Sequence, residues 1–286
     1  MKNISVYIEI FNEEERIENF IKCFLWSDNL IIIDKSSTDK TEDIIKKYIS
    51  PNLIYLKVPY SDYGYAVHNK TVFDLIKNEW FMPITASDLI DLELVDIIHK
   101  TINTENFNYD VINIPYKMYT FGICDKHSPW SFKDEYVDAV YRKNHFILSD
   151  RIHEERGSNG KRYTIKNNNH RYFYHLTLRN LNIFYERHIR YSEKETDKYD
   201  DPIKAKKEAM RNIFRAIKRT FFTKKTYKLG WDGFALALAY ISYYIMTYLS
   251  VWQKFNKKGE SVYQDITKKV LLNHEKIIIN NGEKNE

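Results

Sequence analysis

Three short stretches concentrate the residue types that could do chemistry. WFMPITASDLIDLEL, residues 80–94, is apolar up to Ile84 and then offers Thr85, Ser87 and Asp88, one carboxylate flanked by hydroxyls. IIIDKSSTDKT, residues 31–41, runs into Asp34 and Lys35. DRIHEERGSNGK, residues 150–161, brings His153, Glu154 and Glu155 together between Arg151 and Arg156. A carboxylate at the carboxyl end of a central strand can accept from a base N–H or a ribose hydroxyl, which makes Asp34 a candidate ligand. Ser36 and Asp39 fit equally well as local caps of the following helix. Four charges as close as those of residues 151–156 are expected to form at least one ion pair.

The elements that must position these groups are legible from apolar periodicity. Residues 4–10 and 29–34 are apolar runs of strand length, the second suited to a sheet buried on both faces. Residues 13–26 place Ile17, Phe20, Ile21, Phe24 and Leu25 at helical spacing. Residues 36–49 supply a capping region and a second helix, 53–58 a strand, 68–78 a third helix and 80–85 a strand. Alternating strand and helix predict a mostly parallel, doubly wound α/β sheet. Residues 110–121 and 135–143 read as later, antiparallel strands. From about Asn180 the period turns helical, so a boundary is expected near Arg179, with residues 1–179 as an α/β catalytic part and 180–286 as a helical appendage.

Bulk composition narrows the classes. The chain has 286 residues, 43% of them hydrophobic, with a net charge of +5. No signal-peptide pattern opens it, and two distant cysteines suit a reducing compartment, so a cytoplasmic location and two core thiols are expected. Residues 203–228 hold ten Lys or Arg against the single Glu208. Such a segment seeks phosphates, but Gly-rich or aromatic RNA-binding signatures are lacking, so no nucleic-acid partner is expected.

The order of motifs resembles family 2 glycosyltransferases, which have the GT-A fold. Asn12 and Glu13 after the first strand, then Asp34, Ser37, Thr38, Asp39 and Thr41 after the second, match the start of that family. Asn69 matches an aromatic-x-x-x-Arg-Asn segment in which His68 replaces the Arg. HEERGSNG resembles its Val-His-Glu motif followed by Asn-Gly. YHLTLRNLNIFYERHIRYS resembles its His-Tyr-x-x-x-Ser-Leu helix start, carrying His175 and Arg179, and KLGWDGF resembles its Gly-x-x-Asp-Gly tail helix. The last segments are similar to the branch of lipopolysaccharide inner-core β-glucosyltransferases; bacterial peptide S-glycosyltransferases share the earlier ones.

The resemblance implies an inverting transfer from a nucleotide-sugar donor, UDP-linked, to a hydroxyl of a surface glycan or glycolipid. It implies Mg²⁺ or Mn²⁺ held by an Asp-x-Asp, a position occupied here by Thr85-Ala86-Ser87 with Asp88 just after. A divalent ion neutralises the departing diphosphate. Asp88 alone could serve, since Mg²⁺ keeps several waters; Lys35 and His68 could replace the ion; or activity has been lost and the chain only binds sugar nucleotides or glycans. Glu154 is the expected base that takes the acceptor proton, ahead of Asp88 and Asp134, with His153 orienting it or holding phosphate. Asn12, Glu13 and Asp34 would face the nucleoside and Ser87 the diphosphate. His175 and Arg179 at a helix start would suit phosphate. Residues 231–252 are apolar nearly all round and long enough to span a bilayer. Tyr240, Tyr243, Tyr244 and Tyr248 argue against a span, leaving burial in its own domain, a homodimer contact or a peripheral bilayer surface.

Overall fold

The computed structural model describes residues 3–60, 73–131, 135–147, 157–166, 170–256 and 258–282. The strands are β1 (Ile4–Ile10), β2 (Leu30–Asp34), β3 (Leu53–Lys57), β4 (Trp80–Ile84), β5 (Asp88–Ile90), β6 (Val111–Thr120), β7 (Tyr136–Arg142), β8 (Phe146–Ile147), β9 (Gly157–Ser158), β10 (Arg162–Thr164) and β11 (Phe173–Thr177). The helices used below are α1 (Ile17–Phe24), α2 (Thr41–Lys46), α3 (Leu92–Ile102), α4 (Leu181–Asp197), α5 (Pro202–Ile217), α6 (Gly230–Phe255) and α7 (Lys258–Gly282).

The main sheet runs β3-β2-β1-β4-β7-β6-β11-β5, with β10 added beside β6. Strands β3, β2, β1 and β4 are parallel neighbours, as are β6 and β11. β7 is antiparallel to both β4 and β6, and β5 to β11. This is an α/β GT-A architecture followed by helices. All five residues of β2 are buried, as a strand covered on both faces requires. Ile17, Phe20, Ile21 and Phe24 form the buried stripe of α1, packed with Ile4, Val6, Ile8 and Ile32 of the sheet.

Two compact units result. One comprises Met1–Lys126 with Ser131–Arg179; the other comprises His127–Trp130 with Asn180–Glu286. The short His127–Trp130 segment carried no sequence signal for this placement. Within the second unit Arg219 Nε donates to the Pro129 carbonyl (2.7 Å), and the Trp130 ring meets Tyr240 edge-on. Nor does Cys124 sit in the core as expected: it is exposed, while Cys23 is half-buried.

Candidate functional site

The parallel register Ile8↔Ile84 and Ile10↔Asp34 sets the carboxyl ends of β4, β1 and β2 side by side. Beyond β1 the chain turns at Asn12, whose φ of 54° is left-handed, a conformation Asn tolerates better than most residues. The Asn12 N–H donates to Ser37 Oγ (2.9 Å) and its Oδ1 accepts from the Thr38 N–H (2.8 Å). The Glu13 N–H donates to Thr41 Oγ1 (2.8 Å). The loops after β1 and β2 are thereby stitched together.

Asp34 is the anchor of that stitching. It is fully buried; Oδ1 accepts from the Ser37 N–H (2.8 Å) and hydroxyl (2.6 Å), and Oδ2 from the Tyr55 hydroxyl (2.8 Å). Burial, reinforced by the Asp34 carboxylate, pushes the Tyr55 phenol far above its ordinary value. Where Asp34 is expected to face a ligand, its oxygens are committed inside the chain and shape the loop after β2. Lys35 is likewise engaged, its Nζ 3.5 Å from Glu9 Oε2, with Tyr7 donating to the other Glu9 oxygen.

Asp88, expected just past the end of a strand, opens a short strand of its own, β5. Its Oδ2 accepts from the Thr85 N–H (2.6 Å) and hydroxyl (2.9 Å). Its Oδ1 lies 2.6 Å from His175 Nδ1, directly across the β5–β11 register. His175 was expected at a helix start; it stands in the middle of β11, beside the Tyr116 ring. Arg179 precedes the true cap, Asn180, whose side chain accepts from the Ile183 N–H (2.9 Å), and pairs with Glu15. Asp91 precedes α3 and accepts from the Tyr172 N–H (2.8 Å) and the Tyr174 hydroxyl (3.2 Å).

Arg16 escaped the sequence reading. Its Nε donates to Glu13 Oε2 (2.7 Å) and its NH1 to Ser87 Oγ (2.6 Å), so one guanidinium joins the β1 loop to the β4 loop. The Glu13–Arg16 spacing of three was a usable signal; the link to Ser87, 71 positions away, was not. The structure thus connects Asn12, Glu13, Asp34, Ser87, Asp88 and His175. His68, Asn69, Asp134, His153 and Glu154 lie outside the described residues.

Among the described residues the donor set does not fit a tightly held divalent cation. No group of three His, Cys, Asp or Glu able to hold a metal occurs among the described residues. Asp88, expected to carry the metal, already accepts from Thr85 and sits against His175. Ser87, at the second Asp-x-Asp position, accepts from a guanidinium, whose charge opposes a nearby cation.

The family model of glycosyl transferase family 2 matches residues 5–217. The chain belongs to this family. No curated protein matches it in sequence. Among solved structures, this family 2 glycosyltransferase is similar to S. aureus TarS 1–349 in complex with UDP-GlcNAc, at 15% identity and a TM-score of 0.48, over 86% of this chain and 81% of that one. The same protein with UDP matches at 16% identity and 0.46, over 89% and 92%. Glucosyl-3-phosphoglycerate synthase from Mycobacterium tuberculosis with Mn²⁺ and UDP-glucose matches at 19% and 0.33, over 41% and 44%.

Proposed function

We propose that this family 2 glycosyltransferase works by inversion, moving a sugar from a UDP-linked donor to a hydroxyl of a surface glycan or glycolipid. The acceptor class follows the similarity of its motifs to lipopolysaccharide inner-core β-glucosyltransferases. The observation that carries the reading is the side-by-side placement of the β2, β1 and β4 ends, each bearing candidate residues.

In this reading Asn12 and Glu13, on a loop that Ser37 ties to Asp34, meet the nucleoside together with Asn69. Glu154 accepts the acceptor's hydroxyl proton while the oxygen bonds to the anomeric carbon. The bond from that carbon to the diphosphate breaks on the opposite face, and the nucleoside diphosphate leaves with the electron pair. Arg16, His175 and His68 supply positive or hydrogen-bonding groups for its growing charge, and Ser87 and His153 orient the phosphates.

The test is release of UDP from a panel of UDP-sugars, with and without Mn²⁺. Turnover that Glu154→Gln abolishes supports the reading. A second reading, a non-catalytic binder of sugar nucleotides, is favoured by the internal commitment of Asp88. Donors that raise the melting temperature without any release of UDP would establish that alternative.

A further inference from the structure

Helix α6 has two unlike faces. Gly233, Leu236, Ala237, Thr247 and Val251 are buried, Ser250 shares a hydrogen bond with Ser192 of α4 (2.9 Å), and Lys254 Nζ donates to the carbonyls of Thr196 (2.7 Å) and Tyr199 (3.1 Å). Opposite them, Trp231, Phe234, Leu238, Ile245, Leu249 and Trp252 are exposed, Trp231 by 88% and Leu238 by 55%. At helical spacing these six fall within an arc of about 60° and extend about 30 Å along the axis. No charged residue interrupts the arc. A soluble monomer rarely leaves so long an apolar stripe in water.

We infer that this stripe docks α6 flat onto an anionic lipid bilayer. Residues Thr226–Phe255 are long and apolar enough to cross a membrane. A crossing would, however, drag the charged helices α4 and α5 packed on the other face into hydrocarbon, where each charge is costly. An in-plane helix keeps them in water, with a Trp at each end of the stripe at the depth aromatic residues prefer.

Charge decides between lipid and a second copy of the chain. Lys204, Lys207, Arg211, Arg215, Lys218, Lys225 and Lys228 are all exposed in the segment leading into α6, and α5 adds exposed Ile203, Met210 and Phe214. An anionic leaflet attracts a segment of this charge, whereas a second copy carries the same charge and offers it no attraction. The inference stands on the second unit alone and does not depend on the transfer chemistry.

Flotation of the full chain with phosphatidylcholine vesicles, with and without phosphatidylglycerol, tests it. The protein should float with the anionic vesicles, less so at high salt, and tryptophan emission should shift to the blue. Leu238→Glu with Leu249→Glu should weaken partitioning by about tenfold or more, since the apolar face drives insertion. Should that pair perturb the helix by circular dichroism, Lys207→Glu with Arg211→Glu leaves the stripe intact and should weaken binding to anionic vesicles. Absence of flotation with anionic vesicles, flotation indifferent to both variant pairs, or a stable dimer that the Leu238/Leu249 variant splits without any lipid binding would each overturn it.

Discussion

Asp88 illustrates how a residue's role depends on what already surrounds it. It is nearly buried, and Thr85 donates to it twice while His175 sits on its other oxygen. Asp88→Ala should therefore destabilise the metal-free protein by about 1–3 kcal/mol, the cost of orphaning buried donors, as read by calorimetry. A carboxylate reserved for a metal would leave that melting temperature unchanged or raise it. Arg16→Ala should lower turnover about ten- to hundredfold, the scale of losing a charged hydrogen bond, and added Mn²⁺ should not restore it. At this scale the local partners were legible: Asn12, Ser37, Thr38 and Asp39 belong to two loops whose composition announces turns. The His175–Asp88 contact was not, because its partners are 87 positions apart and meet only through the β5–β11 register.

Among the elements, β1, β2, β3 and β4 follow their apolar runs closely, since burial of a parallel strand leaves a continuous hydrophobic signature. β5 and β11 do not. Asp88-Leu89-Ile90 follows the expected strand 80–85 as a strand of its own, and Phe173–Thr177 is a strand where a helix start is expected around His175. β5 is too short to show a period and is a strand because β11 lies beside it; β11 is held between β6 and β5. The helix α7 was likewise not anticipated. Glycine positions give a test of packing. A Cβ on Gly233 would fall 1.9 Å from the Thr226 carbonyl oxygen, and one on Gly259 meets open space. Gly233→Ala should cost about 1–3 kcal/mol in urea unfolding, as overpacking against backbone does. Gly259→Ala, in a helix, should be neutral or stabilising by up to about 1 kcal/mol.

For the molecule as a whole, the 23 tyrosines set an alkaline limit. Burial, with the nearby Glu195 charge next, pushes the Tyr243 phenol up to about 12 from an ordinary 10, and Tyr116 and Tyr244 are pushed up too, chiefly by burial. The folded chain thus keeps protons that the unfolded chain releases above pH 10, so stability is full below pH 10 and falls as pH rises towards 12. His188 works at the acid end: burial lowers its pKa, so the neutral ring's contribution is full above about 6.5, the unfolded histidine value, and declines as the unfolded chain protonates first. Melting temperatures across pH should show both declines, and Tyr243→Phe should blunt the alkaline one.

Composition and periodicity alone were enough for the alternating strands and helices, the loops that carry Asn12 and Asp34, and the basic segment before an apolar helix, because each depends on neighbours within a few residues. Tertiary structure decided which candidates are free. It closed Asp34 against Tyr55, set His175 on Asp88, drew Arg16 to Ser87, and left one face of α6 bare. Those outcomes depend on groups far apart in the chain, and pairing between them exists only once the sheet and the helical packing bring them within a few ångströms.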